Sequence, residues 1–424
     1  MRTRKSWLAA LVMFFGTALW AQDISGNWQA ILDQDQQQVR LRLTIEKIAT
    51  GDLSGKLHAF GGRFQDWGAF IEVKPITAQG ADVKFNLRRL GTFEGKINAD
   101  GNSIQGTLTQ AKAVPLTWER TTPATEWKET AIHTVQFVTV DENVKLEVLD
   151  FGGSGRPLVF LAGGGGSAHV WDSFAPKFTP AYHAYAITRR ASGDSSAPPC
   201  GYSGERMGDD VIAVLDALKL EHPVLVGHSI AGSELSSVGS RHPERVAGLI
   251  YLDSAFSYAW YDSKRGEQML DSIDLRNKLL QVQIEPSNAK NIQTIQEIIA
   301  DMPKIKKELE GYQKELLADP TGESGPLPPS VRLMIPGVTK YTKIPVPILA
   351  IYAYPRDGSQ FTDPKKRAAM LASDKEYTGR QSDAFEKGVP TARVVRLPLA
   401  DHYVFRSNEA DVMREMNAFL GGLK

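Results

Sequence analysis

The sequence predicts a mostly parallel sheet of about eight strands with helices on both faces, preceded by a small all-β antiparallel domain. Residues 22–123 alternate apolar and polar side chains with a period of two, which turns one face of each strand towards a core. Residues 124–424 instead alternate short, almost continuously apolar runs with helical patterns, which is typical of buried parallel strands. The Pro-containing stretch 121–125 separates the two rhythms and is interpreted as a linker.

The first domain is defined by alternating segments and by the turn signals between them. Glycine beside Asp or Asn marks the turns at residues 50–52 and 100–102. We expect an antiparallel barrel or sandwich that holds no catalytic centre. A structural accessory role is favoured, with substrate or surface binding as the alternative. The alternating segments are residues 39–48, 81–87, 92–97 and 103–108.

The second domain begins with a hairpin over residues 133–149 and continues with buried strands. Helical spacing of apolar residues predicts helices at 209–218 and about 409–420. Helical patterns also fill the stretch between Asp253 and Val346, and they predict a cap over about 257–343. The short apolar runs are residues 157–161, 184–187, 224–226, 248–252, 346–352 and 392–397.

The N-terminus has the layout of a secretory signal peptide. Arg2, Arg4 and Lys5 precede an apolar run over residues 7–20, which is shorter than the roughly 20 residues that span a bilayer. We expect residues 1–21 to be removed, leaving a secreted or periplasmic protein without a stable membrane span. An uncleaved anchor is the alternative. Because Cys200 is the only cysteine, the chain cannot form an internal disulfide.

Composition excludes some classes of function. Lys and Arg together number 49, as do Asp and Glu, so the net charge is zero and no nucleic-acid partner is expected. With 42% hydrophobic and 23% charged residues, the chain has an ordinary globular composition.

The segment Val224-Leu-Val-Gly-His-Ser-Ile-Ala-Gly232 carries the chemistry. A buried strand ends near Gly227, Ser229 follows, and a helix begins after it, which is the strand–turn–helix context of a nucleophile elbow. Ala231 stands where the full pattern has glycine, and it is small enough to fit. The alternative is an ordinary turn with a capping serine.

A serine hydroxyl needs an adjacent base, and His402 is the candidate because it follows the last predicted strand. The base in turn needs a carboxylate to fix its tautomer. Asp357, after the strand 346–352, gives the chain order Ser–Asp–His and is our choice. Asp363 and Asp253 remain alternatives.

A tetrahedral intermediate needs N–H donors for its oxyanion. Ile230, directly after the serine, supplies one, and the glycine-rich turn 162–167 supplies the other. We favour Gly164 as that donor, with Gly163 or Gly165 as alternatives. No Gly-Lys-Ser/Thr follows the glycines, and no His-Glu-x-x-His or clustered Cys/His spacing occurs, so neither a phosphate loop nor a metal nor any cofactor is expected.

From about residue 130 onwards the chain resembles the α/β-hydrolase superfamily, in its Ser-His-Asp esterase, peptidase and haloperoxidase-like branch. Besides the elbow, the segments Thr188-Arg-Arg-Ala-Ser-Gly-Asp-Ser195 and His242-Pro-Glu-Arg-Val246 carry this resemblance. It implies the α/β hydrolase fold with a helical cap. Ala162 stands where the family usually has His, and Ser229 differs from the Asp of dehalogenases and epoxide hydrolases.

These observations predict a secreted serine hydrolase that cleaves a small-molecule carboxylic ester or amide through an acyl-enzyme on Ser229. An aminopeptidase and a cofactor-free perhydrolase or lyase are the alternatives among enzymes. An exported binding protein on an inert hydrolase scaffold is the alternative outside them. His169, Trp171 and Tyr258 are candidate pocket residues, and the oligomeric state is left open.

Overall fold

The structure, a computed structural model, describes residues 23–34, 37–60, 71–87, 91–109, 113–125, 133–284, 289–318, 329–358 and 363–423. Within these residues the chain forms two units, a barrel and a layered α/β unit. The predicted signal segment 1–21 lies outside the described residues. Residues 126–132 do as well, so the domain boundary at 123–124 stays a prediction.

The barrel consists of eight antiparallel strands joined in sequence order, and the pairing of β1 with β8 closes it. Its core contains Trp28, Phe85, Phe93 and Trp118, whose side chains are fully buried. Of the two forms expected for the antiparallel domain, a barrel or a sandwich, the structure shows the barrel. The strands are β1 (Gly26–Gln34), β2 (Gln37–Lys47), β3 (Leu53–Phe60), β4 (Ile71–Gln79), β5 (Asp82–Asn86), β6 (Thr92–Ile97), β7 (Ser103–Thr109) and β8 (Ala113–Arg120).

The second unit contains an eight-stranded sheet in the order β16-β15-β14-β13-β11-β12-β10-β9. Its six strands from β11 to β16 run parallel, whereas β10 pairs antiparallel with both β9 and β12. The predicted mostly parallel sheet is thus confirmed. The strands are β9 (Thr134–Asp141), β10 (Val144–Gly152), β11 (Pro157–Leu161), β12 (His183–Ile187), β13 (Val224–His228), β14 (Gly248–Leu252), β15 (Ile348–Ala353) and β16 (Ala392–Leu397).

Helices cover both faces of this sheet. One apolar cluster includes Val211, Leu235 and Phe385 from three helices, and the cluster on the other face includes Val412 and Met416. The helices are α1 (Gly204–Ala217), α2 (Ala231–Arg241), α3 (Gln268–Ile284), α4 (Lys290–Ala318), α5 (Pro329–Met334), α6 (Pro364–Asp374), α7 (Arg380–Gly388), α8 (Val404–Ser407) and α9 (Glu409–Gly422).

Helices α3, α4 and α5 occupy the predicted cap segment between β14 and β15. Residues 292–299 and 305–316, which both have helical spacing of apolar residues, are parts of the single helix α4, which contains Pro303. The cap limits 257–343 stay a prediction. Among the described residues, none of the helices combines the length and apolar composition needed to cross a bilayer.

The parallel strands position the chemistry because their carboxyl ends share one edge of the sheet. Ala162, Ser229 and Asp253 each follow such an end closely, and the loop that carries His402 follows β16. Ligands of open α/β sheets bind beyond this edge. Residues distant in the sequence therefore converge at one place.

Candidate active site

Ser229 lies at a sharp turn between β13 and α2. Its φ is +53°, a left-handed conformation that costs a non-glycine residue on the order of 1–2 kcal/mol. The turn is fixed on both sides, since the Ser229 N–H donates to the Leu252 carbonyl at 3.4 Å and the Gly232 N–H donates to the Ser229 carbonyl at 3.0 Å. Ser229 is half-buried, while its neighbours His228 and Ile230 are buried. Strain at a serine that is not fully buried is what a nucleophile elbow requires.

Close contacts explain why the residues around the turn are small. A Cβ at Gly232 would lie 2.0 Å from the Ser254 carbonyl oxygen, so only glycine fits there. Ala231, which replaces the expected glycine, is fully buried without a clash. The elbow has shifted its obligatory glycine by one position.

The imidazole of His402 is held by Asp253. Its Nδ1–H donates to Asp253 Oδ2 at 2.7 Å, and this leaves Nε2 as the acceptor of the ring. Asp253 directly follows β14, has a φ of +46° and is fully buried. The Ala353 N–H donates to Asp253 Oδ1 at 3.0 Å, and Arg356 Nη2 donates to Oδ2 at 3.3 Å. A buried carboxylate with three donors is rigidly placed.

This geometry corrects the choice of Asp357 as the partner of His402. Asp357 is exposed in the loop after β15, while the carboxylate in contact with His402 belongs to Asp253 one strand earlier. Asp363 is the N-cap of α6, where its side chain accepts from the Lys365 N–H at 2.8 Å. The alternative Asp253, left open by the sequence, is the residue that the fold brings to the histidine.

His228 holds the backbone of His402. Its Nε2–H donates to the His402 carbonyl at 2.9 Å, and the two ring centroids are 4.6 Å apart. Burial, with His402 and Arg189 nearby, lowers the pKa of His228 well below 6.5, so the ring is neutral. Because His228 adjoins Ser229, this bond ties the histidine loop to the elbow.

A buried ion pair holds the glycine-rich turn. Arg189 Nη1 donates to the Gly163 carbonyl at 2.7 Å, and Nη2 donates to the Ala162 carbonyl. The same guanidinium makes a bidentate pair with Glu234 of α2, at 3.0 and 2.7 Å. The C=O and N–H of a trans peptide point in opposite directions. Turning the Ala162 and Gly163 carbonyls towards Arg189 therefore directs the N–H groups of Gly163 and Gly164 away from it.

The turn also contacts the elbow and the cap. A Cβ at Gly163 would lie 3.2 Å from Ser229 Cβ, so this glycine packs against the serine. A Cβ at Gly164 would lie 3.6 Å from Ile230 Cγ2 and only 2.3 Å from Val331 Cγ2. The structure thus brings Gly164 and Ile230 together beneath α5, and the choice among Gly163, Gly164 and Gly165 as oxyanion donor stays a prediction.

Tyr258 lies at the serine as well. Its hydroxyl lies near the Ser229 side chain. Burial, with Tyr377 and Asp253 nearby, raises the pKa of Tyr258 well above 10, so its phenol stays protonated. A neutral O–H donor therefore stands beside the hydroxyl of Ser229, as a pocket residue would.

Comparison with known proteins identifies the group to which this fold and site belong. The sequence model of the alpha/beta hydrolase family matches residues 158–415, which is more than half of the chain. The chain belongs to the α/β hydrolase family.

Several family members resemble parts of this α/β hydrolase. A non-heme chloroperoxidase of Streptomyces lividans is 32% identical over 120 residues, which are 28% of this chain and 44% of that protein. A 2-hydroxymuconate semialdehyde hydrolase of Pseudomonas sp. CF600 is 32% identical over 107 residues, or 24% and 38% of the two chains. The bromoperoxidase structure from Bacillus anthracis shows 17% identity and a TM-score of 0.44, covering 68% of this chain and 100% of that one. The matched stretches span only about two fifths of the curated relatives' length.

Two predicted pocket residues of this α/β hydrolase contact other parts of the fold. Trp171 is fully buried between Phe160 and Phe405, at ring-centroid distances of 5.1 and 4.4 Å, so it is a core residue. His169 directs its two ring nitrogens towards Glu147 and Asp172. The buried position of Trp171 argues against its being a pocket wall, whereas the interpretation of His169 as a pocket residue stays a prediction.

Sequence reasoning missed four residues of this α/β hydrolase that hold the site: His228, Arg189, Glu234 and Arg356. Arg189 could have been predicted, because it lies in the loop segment that carries the family resemblance. Glu234 and Arg356 acquire their partners only through tertiary contacts, and nothing in the local sequence marks them.

Proposed function

We propose that this α/β hydrolase is a serine hydrolase that cleaves a small-molecule carboxylic ester, or an amide, through an acyl-enzyme on Ser229. The observation that carries the proposal is the 2.7 Å hydrogen bond from His402 Nδ1 to the buried Asp253, on a loop tied to the elbow of Ser229. A strained serine, a histidine of fixed tautomer and a buried carboxylate are the parts that acyl transfer needs. From the signal-peptide layout of residues 1–21 we also propose that the mature protein is exported and acts in an extracellular or periplasmic setting.

In the proposed mechanism, Ser229 Oγ attacks the substrate carbonyl carbon while His402 Nε2 takes the hydroxyl proton. Asp253 stabilises the imidazolium that forms, without itself becoming protonated. The N–H groups of Ile230 and Gly164 bind the oxyanion, and the Arg189–Glu234 pair keeps the glycine turn in place. His402 then gives its proton to the leaving alcohol or amine. Water, activated by His402, attacks the acyl carbon, which releases the acid and restores the Ser229 hydroxyl.

Substrate profiling of the purified protein tests this proposal. We expect hydrolysis of p-nitrophenyl esters of graded acyl length, and loss of kcat on the order of 10⁴-fold or more in Ser229→Ala. Ser240→Ala is the matched control, because Ser240 lies at the far end of α2 and donates to the Lys343 carbonyl. Hydrolysis of aminoacyl p-nitroanilides in the same panel would indicate an aminopeptidase. Absence of turnover on every ester and amide, or equal turnover in Ser229→Ala, would reject the proposed function.

A further inference from the structure

A cluster of two histidines and two carboxylates lies outside the proposed catalytic machinery. His133 precedes β9 and Glu147 is in β10. His169 lies in the 3₁₀ turn that follows the glycine-rich loop, and Asp172 is the C-cap of that turn. One ligand atom from each of His133, His169 and Asp172 lies within 4.8 Å of the other two. None of these residues has a role in the reaction proposed above.

The geometry of the cluster is unusual for a hydrogen-bonded network. His133 is 8% exposed, and its Nδ1 faces Asp172 Oδ1 at 3.2 Å, yet neither atom makes a hydrogen bond within the described part of the chain. His169 Nδ1 lies 3.4 Å from the other oxygen of Asp172. Ligand atoms that bind tetrahedral zinc at 2.0–2.1 Å lie about 3.3 Å apart. Each imidazole Nδ1 is thus close to this spacing from one oxygen of Asp172, and the two histidines approach different oxygens of that carboxylate.

Glu147 completes the arrangement from the opposite side of the His169 ring. Its Oε1 lies 3.2 Å from His169 Nε2, and its Oε2 accepts a hydrogen bond from Thr188 Oγ1 at 2.6 Å. Metal-binding histidines characteristically donate their second ring N–H to a carboxylate, which fixes the tautomer and frees the other nitrogen for the metal. Glu147 therefore presents His169 Nδ1 towards Asp172.

We propose that His133, His169 and Asp172 bind one Zn²⁺ ion, with Glu147 orienting His169 and water filling the fourth position. Imidazole and carboxylate ligands suit zinc, and a divalent cation balances the two carboxylate charges of a largely buried cluster. The ion would join the β9–β10 hairpin to the turn after the glycine-rich loop. Its role would thus be structural and separate from the chemistry of Ser229.

The competing state is a metal-free ion-pair network. Burial lowers the pKa of His169, but its bonds to Asp172 and Glu147 outweigh burial and raise the pKa to about 10. Without metal, a protonated His169 would bridge the two carboxylates. The two states differ in whether added zinc binds at this place.

Zinc binding to the untagged, chelator-treated protein distinguishes them. We expect one Zn²⁺ per chain by calorimetry and elemental analysis, a higher unfolding temperature with zinc, and tetrahedral d–d bands with Co²⁺. His133→Ala and Asp172→Asn should each weaken binding at least about 100-fold, since the first removes a direct ligand and the second replaces a charged carboxylate with a neutral amide. Unfolding temperatures measured without metal establish that both variants remain folded.

Two control variants locate the ion. His183 is half-buried, as His169 is, but it pairs with a single carboxylate, that of Asp150, at 2.8 Å. Because His183 lies outside the proposed cluster, His183→Ala should bind zinc like the wild type. His402→Ala should bind zinc equally well, because it removes only the histidine of the proposed catalytic site. Absence of stoichiometric zinc in the wild type, or unchanged affinity in folded His133→Ala and Asp172→Asn, would overturn the proposal.

Discussion

Asp253→Asn is expected to lower kcat by about 10³–10⁴-fold with little change in KM. The substitution keeps the shape of the side chain, but an amide cannot stabilise the imidazolium and favours the wrong tautomer of His402. Asp253 is fully buried and receives His402 Nδ1–H at 2.7 Å, so no water can take over its role. Steady-state kinetics on the best ester of the panel measures the effect.

Asp357→Asn is the matched control for this experiment. Asp357 is exposed, and we expect kcat to change by less than about threefold, as for most surface substitutions. Asp363→Asn should also be mild, because Asn caps helices as well as Asp does. A larger loss in Asp357→Asn than in Asp253→Asn would move the acid back to the loop after β15.

The second large effect is expected from Arg189→Met. This change leaves Glu234 as an unpaired buried charge, which costs about 3–5 kcal/mol of unfolding free energy. It also frees the Ala162 and Gly163 carbonyls, so the oxyanion donors lose their fixed direction. We expect kcat to fall on the order of 10²-fold, the loss seen when one oxyanion donor is removed.

Two variants separate the catalytic effect from the loss of stability. Arg190 is also buried and pairs with Asp210 at 2.6 Å, but within the described part of the chain it makes no hydrogen bond to the glycine turn. Arg190→Met should destabilise the fold while leaving kcat of the folded protein nearly unchanged. The double variant Arg189→Met/Glu234→Met removes the unpaired charge, so it should regain stability but keep the low kcat. Full recovery of kcat in the double variant would contradict a positioning role for Arg189.

Local patterns in the sequence were enough to predict the fold and the elbow. Strand alternation, buried apolar runs and the strand–turn–helix context of Ser229 depend on neighbours in the chain, and the sheet and elbow follow from them. The position of His402 after the last strand followed from the order of the elements. These features are fixed by spacing rather than by distant side chains.

The acid was harder to predict because β14 and β15 are adjacent in the sheet. Leu252 pairs with Ile351, so a carboxylate after either strand emerges at the same edge. Only side-chain directions select Asp253, whose Oδ1 is held by the Ala353 N–H. Trp171 was misplaced for a similar reason, since the sequence does not show which side of a short 3₁₀ turn faces the core.

The central claim, that Ser229 is a nucleophile activated by His402 and Asp253, is tested most directly by covalent labelling. A fluorophosphonate probe should modify the wild type once per chain, and peptide mass spectrometry should locate the adduct on Ser229. Ser229→Ala should remain unlabelled, and Asp253→Asn should react more slowly than Asp357→Asn. An adduct on another residue, or a folded wild type that never reacts, would contradict the account.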